Sequence, residues 1–273
     1  MDRYKKLFNF DNKVAVVTGA SGILGTEFCK ALCSFGVTVV CLDREEDSLE
    51  KLTQDLANNY GKDKVVSVLC DVSDPNAVKK VVNEIVQQFS KVDILLNNAA
   101  TKTKDLKSFF SPFTDYSLEV WREVMAVNLD GMFLMAQAIG KSMIERRAGV
   151  IIQTASIYSL LGPDQRIYQG SYYLGGEINT PAVYTASKAG VIGLTKHLAT
   201  LWGEYGVRVN ALCPGGVSSG QNAEFDHKYS ARVPLGRMAK EIDIVGPMLF
   251  LASDASRYVT GQVLFADGGL SAW

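Results

Sequence analysis

Tyr184 and Lys188 lie four residues apart in a stretch predicted to be helical, and Ser156 precedes them. Residues i and i+4 share a helix face, so the phenol and the ammonium should be neighbours. A free tyrosine has a pKa of about 10, and a cation about 4 Å away at an effective dielectric constant near 20 supplies roughly 3–4 kcal/mol, enough to lower that pKa by two or three units. Tyr184 is therefore predicted to be a general acid/base tuned by Lys188. The alternative is an exposed pair on an amphipathic helix.

Three glycines near the start of the chain stand between a predicted strand and a predicted helix. Val14 to Val17 is an apolar run typical of a strand buried on both faces, and Thr26 to Phe35 follows as a helix. Glycine permits positive φ and a close approach of the backbone to a ligand, and the opening helix offers N–H groups to a pyrophosphate. This context favours a dinucleotide site over a simple tight turn. The residues assigned to it are Gly19, Ser21, Gly22, Ile23, Leu24 and Gly25.

The second predicted strand ends at Asp43, eighteen residues after Gly25. A carboxylate at this place accepts hydrogen bonds from the adenosine ribose hydroxyls of a dinucleotide. Its charge would also repel a 2′-phosphate, which favours NAD over NADP as the cofactor. Arg44 opposes this preference, because a guanidinium accommodates that phosphate. A helix-capping or solvated aspartate is the alternative for Asp43.

The composition is typical of a cytoplasmic protein with one large domain spanning 1–273. The 273 residues are 47% hydrophobic and carry a net charge of −1 without a dense basic block, which argues against nucleic acid or an anionic membrane as the main partner. The polar first twelve residues lack the apolar region of a signal peptide. The five cysteines, an odd number, and the two histidines predict reduced core thiols and no metal site.

Strands and helices alternate along the chain without a repeat or a linker. This alternation predicts an α/β fold of Rossmann type, a doubly wound parallel sheet of about seven strands flanked by helices. The predicted strands cover 13–18, 37–42, 64–69, 92–96, 149–154, 207–212 and 262–266. The predicted helices cover 24–35, 45–59, 75–89, 117–146, 182–204 and 240–253. Ligands bind at the carboxyl ends of such strands, where the sequence places Asp43, Asp71, Asn97, Ser156 and Pro214.

Taken in this order, the motifs resemble the short-chain dehydrogenase/reductase superfamily over nearly the whole chain. The resemblance implies hydride transfer to or from a nicotinamide, with the cofactor carrying the redox chemistry. The matching pieces are the turn from Thr18 to Gly25, Asp71-Val72, Asn97 to Ala100, Asn128, Ser156, Tyr184 with Lys188, Pro214-Gly215 and Asp267 to Gly269.

The resemblance also implies a role for each matching residue. Tyr184 would exchange a proton with the substrate oxygen, and Ser156 would hydrogen-bond the same oxygen. Lys188 would lower the pKa of the phenol and hold the cofactor ribose, and Asn128 would anchor a water that links Lys188 to solvent. Strand-end capping by Ser156 and bonding within a helix kink by Asn128 are the alternatives, and Asn97 is expected to be partly structural. Further cofactor contacts are expected from Asp71, Val72, Asn98, Ala99, Ala100, Pro214, Gly215 and Val217.

Two positions depart from the family pattern. Ile23 stands where compact members have their second glycine, and Gly22 instead gives the spacing of extended members. Ser219 stands where the family often has threonine after Pro-Gly, which retains a hydroxyl. A phosphate-binding turn is still expected, with a local difference in its backbone.

Two segments are predicted to shape the substrate site. The first, 157–181, is longer than its family counterpart and is predicted to be an insertion that forms a polar-aromatic wall suited to a sugar, with Arg166 able to bind a carboxylate or a phosphate. A surface flap or an oligomer contact is the alternative. The second, 217–237, is predicted to be a lid with Gln221 and Asn222 as substrate contacts. Its polarity disfavours a long acyl chain or a steroid.

The substrate expected from this analogy is a carbohydrate. The stretch from Pro181 to Gly193 and the ending Ser271-Ala-Trp273 are similar to bacterial sugar and sugar-acid dehydrogenases and to oxidoreductases of flagellin-glycan (nonulosonate) pathways. A 3-oxoacyl-thioester reductase is the alternative enzyme, and a non-catalytic NAD-binding regulatory subunit is the alternative of another class. Family members commonly form tetramers through helices equivalent to 117–146 and 182–204, so a homo-oligomer, tetramer or dimer, is expected.

Overall fold

The computed structural model describes residues 2–173 and 176–273. Its sheet is built from short apolar runs rich in β-branched residues, which suit strands covered on both faces. In the first of these runs every side chain is buried. The strands are β1 (Val14–Thr18), β2 (Thr38–Asp43), β3 (Val65–Leu69), β4 (Ile94–Asn97), β5 (Gly149–Thr154), β6 (Tyr172–Tyr173), β7 (Gly176–Glu177), β8 (Val207–Pro214) and β9 (Val263–Ala266).

The main sheet has seven parallel strands in the order β3-β2-β1-β4-β5-β8-β9, and β6 and β7 pair with each other as an antiparallel hairpin. The predicted single-domain, doubly wound parallel sheet is confirmed. The strand order reverses between β1 and β4, so a crevice is expected at the carboxyl ends of these two strands.

Helices cover both faces of the sheet. On one face α1 and α9 pack over the apolar side chains of β1 and β2, and on the other α3, α6 and α7 do so. The helices are α1 (Ile23–Ser34), α2 (Glu46–Tyr60), α3 (Pro75–Phe89), α4 (Leu106–Phe109), α5 (Leu118–Met125), α6 (Gly131–Arg146), α7 (Ala182–Trp202), α8 (Ala223–Ser230) and α9 (Glu241–Ala252).

The single helix predicted over 117–146 is divided into α5 and α6 by a π-helical segment, Ala126–Asp130. The N–H of Gly131 donates to the carbonyl of Ala126, five residues earlier. The wider turn contains Asn128, whose buried side chain is bonded outside the helix. Single-turn bulges of this kind are frequent at functional sites.

The predicted insertion, 157–181, contains two short 3₁₀ turns, Ile157–Ser159 and Gln165–Tyr168, followed by the β6–β7 hairpin. The predicted lid, 217–237, contains α8. Throughout the described ranges no helix combines the length and the apolar character that a membrane span requires.

Candidate active site

A cleft of about 710 Å³ runs along the carboxyl edge of the sheet. Most of the residues predicted to bind a cofactor or to react lie in its wall, although they come from distant parts of the chain. They are Gly19, Ser21, Gly22, Ile23, Leu24, Asp43, Arg44, Asp71, Val72, Asn98, Ala99, Ala100, Ser156, Tyr184, Lys188, Pro214, Gly215 and Val217, with Gln221 from the substrate set.

The glycine turn approaches the neighbouring strand closely. Gly19 has φ of +62°, and a Cβ there would lie 2.8 Å from the Cα of Ala99. Gly22 is the N-cap of α1, whose first N–H groups lack partners within the helix, and the first two helical residues, Ile23 and Leu24, line the cleft. Gly25 serves packing instead, because a Cβ there would lie 2.1 Å from the carbonyl oxygen of Gly19. The turn fits a pyrophosphate in spite of Ile23, which occupies an ordinary helical position at the start of α1.

Asp43, at the end of β2, is fixed by the glycine turn. Its Oδ2 accepts hydrogen bonds from the N–H and the hydroxyl of Ser21 at 2.9 and 2.7 Å, and its Oδ1 accepts one from the N–H of Arg44 at 2.7 Å. The guanidinium of Arg44 reaches across to the hydroxyl of Thr101 at 3.3 Å. A carboxylate and a guanidinium therefore stand side by side at the end of the cleft where an adenosine ribose would bind.

The loop after β4 is tied to β1 by hydrogen bonds. The hydroxyl of Thr18 accepts from the N–H groups of Asn98 and Ala99, both at 3.0 Å. The amide of Asn97 donates to the carbonyl of Met132 at 2.9 Å. The side chain of Asn97 thus joins β4 to α6 and does not line the cleft, which agrees with its partly structural prediction.

Burial raises the pKa of Asp71, at the end of β3, but hydrogen bonds from Ser73 and the charge of Arg44 outweigh this effect and bring the pKa below its ordinary value. The carboxylate therefore stays ionised in the cleft wall at neutral pH. Val72 lies beside it and packs against Gly131, where a Cβ would approach its side chain to 2.7 Å.

Ser156, Tyr184 and Lys188 converge in the middle of the cleft. The hydroxyl of Ser156 accepts the N–H of Tyr158 at 3.2 Å, and the N–H of Ser156 donates to the hydroxyl of Ser159 at 3.1 Å. These reciprocal bonds cap the 3₁₀ turn that follows β5 and fix the Ser156 side chain. Lys188, one turn after Tyr184 on α7, donates from Nζ to the carbonyl of Thr154 at 2.7 Å.

The ionisation of this group differs from the sequence-based prediction. Burial raises the pKa of Tyr184, and the hydrogen bond with Ser156 opposes the rise only in part. Burial also lowers the pKa of Lys188 to about 8. The expected net lowering of the pKa of Tyr184 is therefore wrong, because loss of water around the phenol outweighs the hydrogen bond with Ser156.

Asn128 is fully buried in the π-helical segment. Its Oδ1 accepts the N–H of Thr101 at 2.9 Å, and its Nδ2 donates to the hydroxyl of Ser187 at 3.4 Å. The side chain thus links the loop after β4 to α7, next to Lys188 in sequence. Its proposed role toward a water remains a prediction. Asn128 lies in the helix kink, but its side chain bonds the backbone of Thr101 and the hydroxyl of Ser187, both outside the kink.

Two of the predicted substrate contacts lie outside the cleft. Arg166 forms a two-bond ion pair with Asp164, with its Nε and Nη2 each 2.8 Å from a carboxylate oxygen, and its side chain is 84% exposed. The partner two residues away holds the guanidinium at the surface. Asn222 caps α8 by accepting the N–H of Phe225 at 3.0 Å. The side-chain oxygen of Asn222 is thus engaged in capping, and the residue does not line the cleft as predicted.

Residues of the predicted insertion and the predicted lid form part of the cleft wall. We call this part the substrate wall, because both segments are predicted to contact substrate; it includes Tyr158, Tyr168, Asn179, Gln221, Phe225 and Tyr229. From the lid, the amide of Gln221 accepts the N–H of Ser219 at 2.6 Å and donates to its hydroxyl at 2.9 Å. Around it the wall is aromatic: the rings of Tyr168 and Phe225 are 5.3 Å apart, and those of Phe225 and Tyr229 are 5.7 Å apart.

Sequence reasoning missed Tyr158 and Asn179 of this wall, and it missed Ser159, which lies outside the wall and bonds the backbone of Ser156. Ser159 had a signal, because a serine three residues after Ser156 at a strand end is a capping pattern. Tyr158 and Asn179 had none. Asn179 is placed by a hydrogen bond to the carbonyl of Phe110, 69 residues away, and local spacing does not show such a contact.

A parallel sheet with a glycine turn at its switch point and a hydroxyl, a phenol and an ammonium in the same cleft defines a class, the dinucleotide-dependent oxidoreductases. Residues 19–271 match a family model described as enoyl-(acyl carrier protein) reductase. The chain belongs to the short-chain dehydrogenase/reductase superfamily, as the resemblance implied, and it is an oxidoreductase of that superfamily.

Three known proteins illustrate the similarity. A D-threitol dehydrogenase of Mycolicibacterium smegmatis is 33% identical over 96% of this chain and 94% of its own. A 3-oxoacyl-(acyl-carrier-protein) reductase of Thermotoga maritima is 34% identical over 95% and 98%. The crystal structure of a gluconate 5-dehydrogenase from Burkholderia cenocepacia in complex with NADP and tartrate has a TM-score of 0.86 at 30% identity, covering 99% of this chain and 100% of that one.

Proposed function

We propose that the protein interconverts a secondary alcohol and a ketone by NAD(P)-dependent hydride transfer, on a sugar, a sugar acid or a surface-glycan precursor. The observation that carries the proposal is the convergence of Ser156, Tyr184 and Lys188 beside a cleft wall that is both aromatic and polar. The similarity to a D-threitol dehydrogenase and a gluconate 5-dehydrogenase supports a polyhydroxylated substrate.

Ser156, Tyr184 and Lys188 have different roles at the substrate oxygen. The nicotinamide cofactor supplies the hydride acceptor or donor when it is bound. Tyr184 keeps its proton at neutral pH because its pKa is raised, so its hydroxyl can donate that proton to a ketone oxygen and recover it from an alcohol. The hydroxyl of Ser156 accepts from Tyr158, and its own hydrogen can be donated to the same substrate oxygen. Lys188, whose pKa is about 8, holds a proton close to this site.

The residues present fit a nicotinamide dinucleotide. The glycine turn and the start of α1 would hold the pyrophosphate, and Asp71 and Val72 would flank the adenine. Asp43 would bind the ribose hydroxyls and repel a 2′-phosphate, so we propose NAD as the preferred cofactor. Arg44 beside it lessens this preference, since it offers a partner to NADP.

A second candidate is reduction of a 3-oxoacyl thioester. The similarity to the Thermotoga maritima reductase favours it. The polar side chains of the substrate wall oppose it, because an acyl chain would leave them without partners.

The test is cofactor reduction by the purified protein with a panel of alditols, aldonates and sugar phosphates, using NAD and NADP, with Tyr184→Phe as the control. Turnover of one carbohydrate that depends on Tyr184 is the expected result. Reduction of an acetoacetyl thioester with no carbohydrate turnover would establish the second candidate. NAD binding without turnover of any substrate would indicate a non-catalytic, regulatory subunit.

We also propose that the protein forms a homo-oligomer. Phe133 on α6 and Leu201 on α7 are about half exposed, and a contact between copies would remove such apolar side chains from water. Light scattering should give a mass of two or four chains, and a monomer at working concentration would contradict the proposal.

A further inference from the structure

Two polar atoms in the substrate wall are buried and have no hydrogen-bond partner within residues 2–173 and 176–273. They are the hydroxyl oxygen of Tyr158 and Oδ1 of Asn179. Both residues line the cleft, and both belong to the predicted insertion. A buried polar atom without a partner costs about 1–3 kcal/mol. Such atoms beside a reaction centre are candidates for binding a substrate.

Tyr158 is held firmly by its surroundings. It follows Ser156 by two residues, and its own N–H donates to the hydroxyl of Ser156. Its ring packs with Ile167 and Phe225 in a buried cluster. The neighbouring phenol of Tyr168 is bonded to the hydroxyl of Thr180 at 2.5 Å. A hydroxyl has one donor and two acceptor sites, so even an interaction with Tyr168 leaves the hydroxyl of Tyr158 able to bond a further group.

Asn179 lines the cleft, and its side chain holds a buried acceptor. Its Nδ2 donates to the carbonyl of Phe110 at 2.6 Å. Because a carbonyl only accepts, the amide nitrogen must face Phe110 and the oxygen must face away from it. The next residue is also fixed, since Gln165 donates to the carbonyl of Thr180 at 2.9 Å and accepts its N–H at 3.3 Å. Oδ1 of Asn179 therefore requires a donor and would repel a carboxylate.

A donor–acceptor and an acceptor in one wall are complementary to hydroxyl groups. A hydroxyl both donates and accepts, so neighbouring hydroxyls on a substrate can satisfy both atoms. An alkyl or acyl chain in the same place would exclude water and leave both atoms unpaired. Sites that hydrogen-bond a substrate hydroxyl discriminate strongly against analogues that lack it.

We propose that Tyr158 and Asn179 are specificity-determining residues that bind hydroxyl groups on carbons next to the reacting carbinol. The substrate class is then a vicinal diol or polyol and the corresponding hydroxyketone, and simple carbinols and acyl thioesters are poor substrates. This inference rests on the proposed function.

The test combines removal of hydroxyls from the substrate with removal of polar groups from the protein. The values of kcat/KM are measured for threitol, butane-2,3-diol and butan-2-ol in the unmodified protein and in the Tyr158→Phe and Asn179→Leu variants. Tyr116→Phe is the matched control, because it also removes a buried hydroxyl without a partner in the described chain, outside the cleft. If Asn179→Leu does not fold, Tyr158→Phe still tests the inference, because it removes only the hydroxyl and retains the packing of the ring.

In the unmodified protein the diol should be preferred over the mono-alcohol by roughly tenfold or more, and Tyr158→Phe should reduce that preference about 3- to 10-fold. Tyr116→Phe should leave it unchanged. A preference that is absent, or that Tyr158→Phe does not reduce, would overturn the inference.

Binding separates the inference from the proposed reaction. Calorimetry of Tyr184→Phe with NAD bound measures the affinity for the same three alcohols, with and without the Tyr158→Phe change. One outcome is that Tyr184→Phe binds the diols more tightly than the mono-alcohol, the double variant loses this difference, and the unmodified protein shows no turnover. That outcome would support the hydroxyl-binding pair and contradict the proposed reaction. Turnover with no dependence on the second hydroxyl would contradict the pair alone. Neither binding nor turnover would refute both.

Discussion

Ser21 donates two hydrogen bonds to one carboxylate oxygen of Asp43, from its N–H at 2.9 Å and from its hydroxyl at 2.7 Å. The bonds tie the phosphate turn after β1 to the end of β2. They also hold the charge of the carboxylate in a fixed place. A mobile side chain could turn away from the 2′-phosphate of NADP, but a fixed one cannot. We therefore expect the charge of Asp43 to determine the cofactor preference.

The variant Asp43→Asn should therefore shift the preference from NAD toward NADP. It removes the charge and keeps an oxygen that can accept from Ser21, while Arg44 remains to meet the phosphate. Two charges about 5 Å apart at an effective dielectric constant near 20 interact by about 3 kcal/mol, so the ratio of NADP to NAD affinity should rise roughly 10- to 100-fold. Fluorescence titration with both reduced cofactors measures it. Asp55→Asn, which removes an exposed carboxylate on α2, is the control. An unchanged ratio in Asp43→Asn would refute the role of the charge.

The variant Ser159→Ala should lower kcat roughly tenfold, because it frees the turn that positions the Ser156 hydroxyl. The KM for NAD should stay the same, since Ser159 does not line the cleft. Ser159→Thr, which retains a hydroxyl, should restore part of the rate. Ser256→Ala removes another buried, hydrogen-bonded hydroxyl outside the cleft and should leave kcat unaffected. Equal losses in Ser159→Ala and Ser256→Ala would show a structural role only.

The sheet could be predicted because its strands are buried on both faces. Strands in that position read as apolar runs such as Val14–Thr18, and local chemistry marks several boundaries. The carboxylate of Asp74 accepts the N–H groups of Asn76 and Ala77 and so begins α3 at Pro75, as an aspartate before a proline predicts. The convergence of Ser156, Tyr184 and Lys188 in one cleft was predicted through the order of the motifs.

What sequence could not supply depends on contacts between distant residues. The π-helical segment contains Asn128, whose side chain accepts the N–H of Thr101, 27 residues earlier. The raised pKa of Tyr184 depends on burial of its phenol by elements that are distant in sequence. The prediction that Arg166 contacts substrate was wrong for a local reason, because Asp164, two residues before it, forms an ion pair with its guanidinium. A motif predicts which groups are present, and packing decides their ionisation and their partners.

The variant Lys188→Met should make the protein more stable at neutral pH while it abolishes turnover. Burial lowers the pKa of Lys188 from 10.5 to about 8, and this difference corresponds to about 3 kcal/mol of lost stability. Below pH 8 the ammonium is charged in both the folded and the unfolded chain, so the free energy of unfolding is lowered by the full cost of burying the charge. Between about pH 8 and 10.5 only the unfolded chain keeps the proton, and the stability of the unmodified protein rises with pH.

Urea denaturation at pH 7 and near pH 10 measures this effect. The stabilisation by Lys188→Met should be largest at pH 7 and should shrink toward pH 10. Lys196→Met removes an exposed lysine from the same helix and should change stability little at either pH. A Lys188→Met protein less stable than the unmodified one at pH 7 would show that the bond to Thr154 outweighs the cost of burial.

Shortening the insertion should damage turnover and leave NAD binding intact. Tyr172 pairs with Glu177 across the β6–β7 hairpin, so the chain ends at Ser171 and Ile178 are close enough to be joined by two glycines in place of 172–177. The hairpin leads directly into Ile178, Asn179 and Thr180 of the cleft wall, and a flexible link would loosen them.

The kcat/KM for the carbohydrate substrate should fall at least about tenfold in this variant, because the reaction slows steeply when the groups that position the substrate are misplaced. The glycine turn and Asp43 lie on other elements, so the dissociation constant for NADH should change less than about twofold. Loss of both properties would indicate general unfolding, and loss of neither would make the insertion a surface flap.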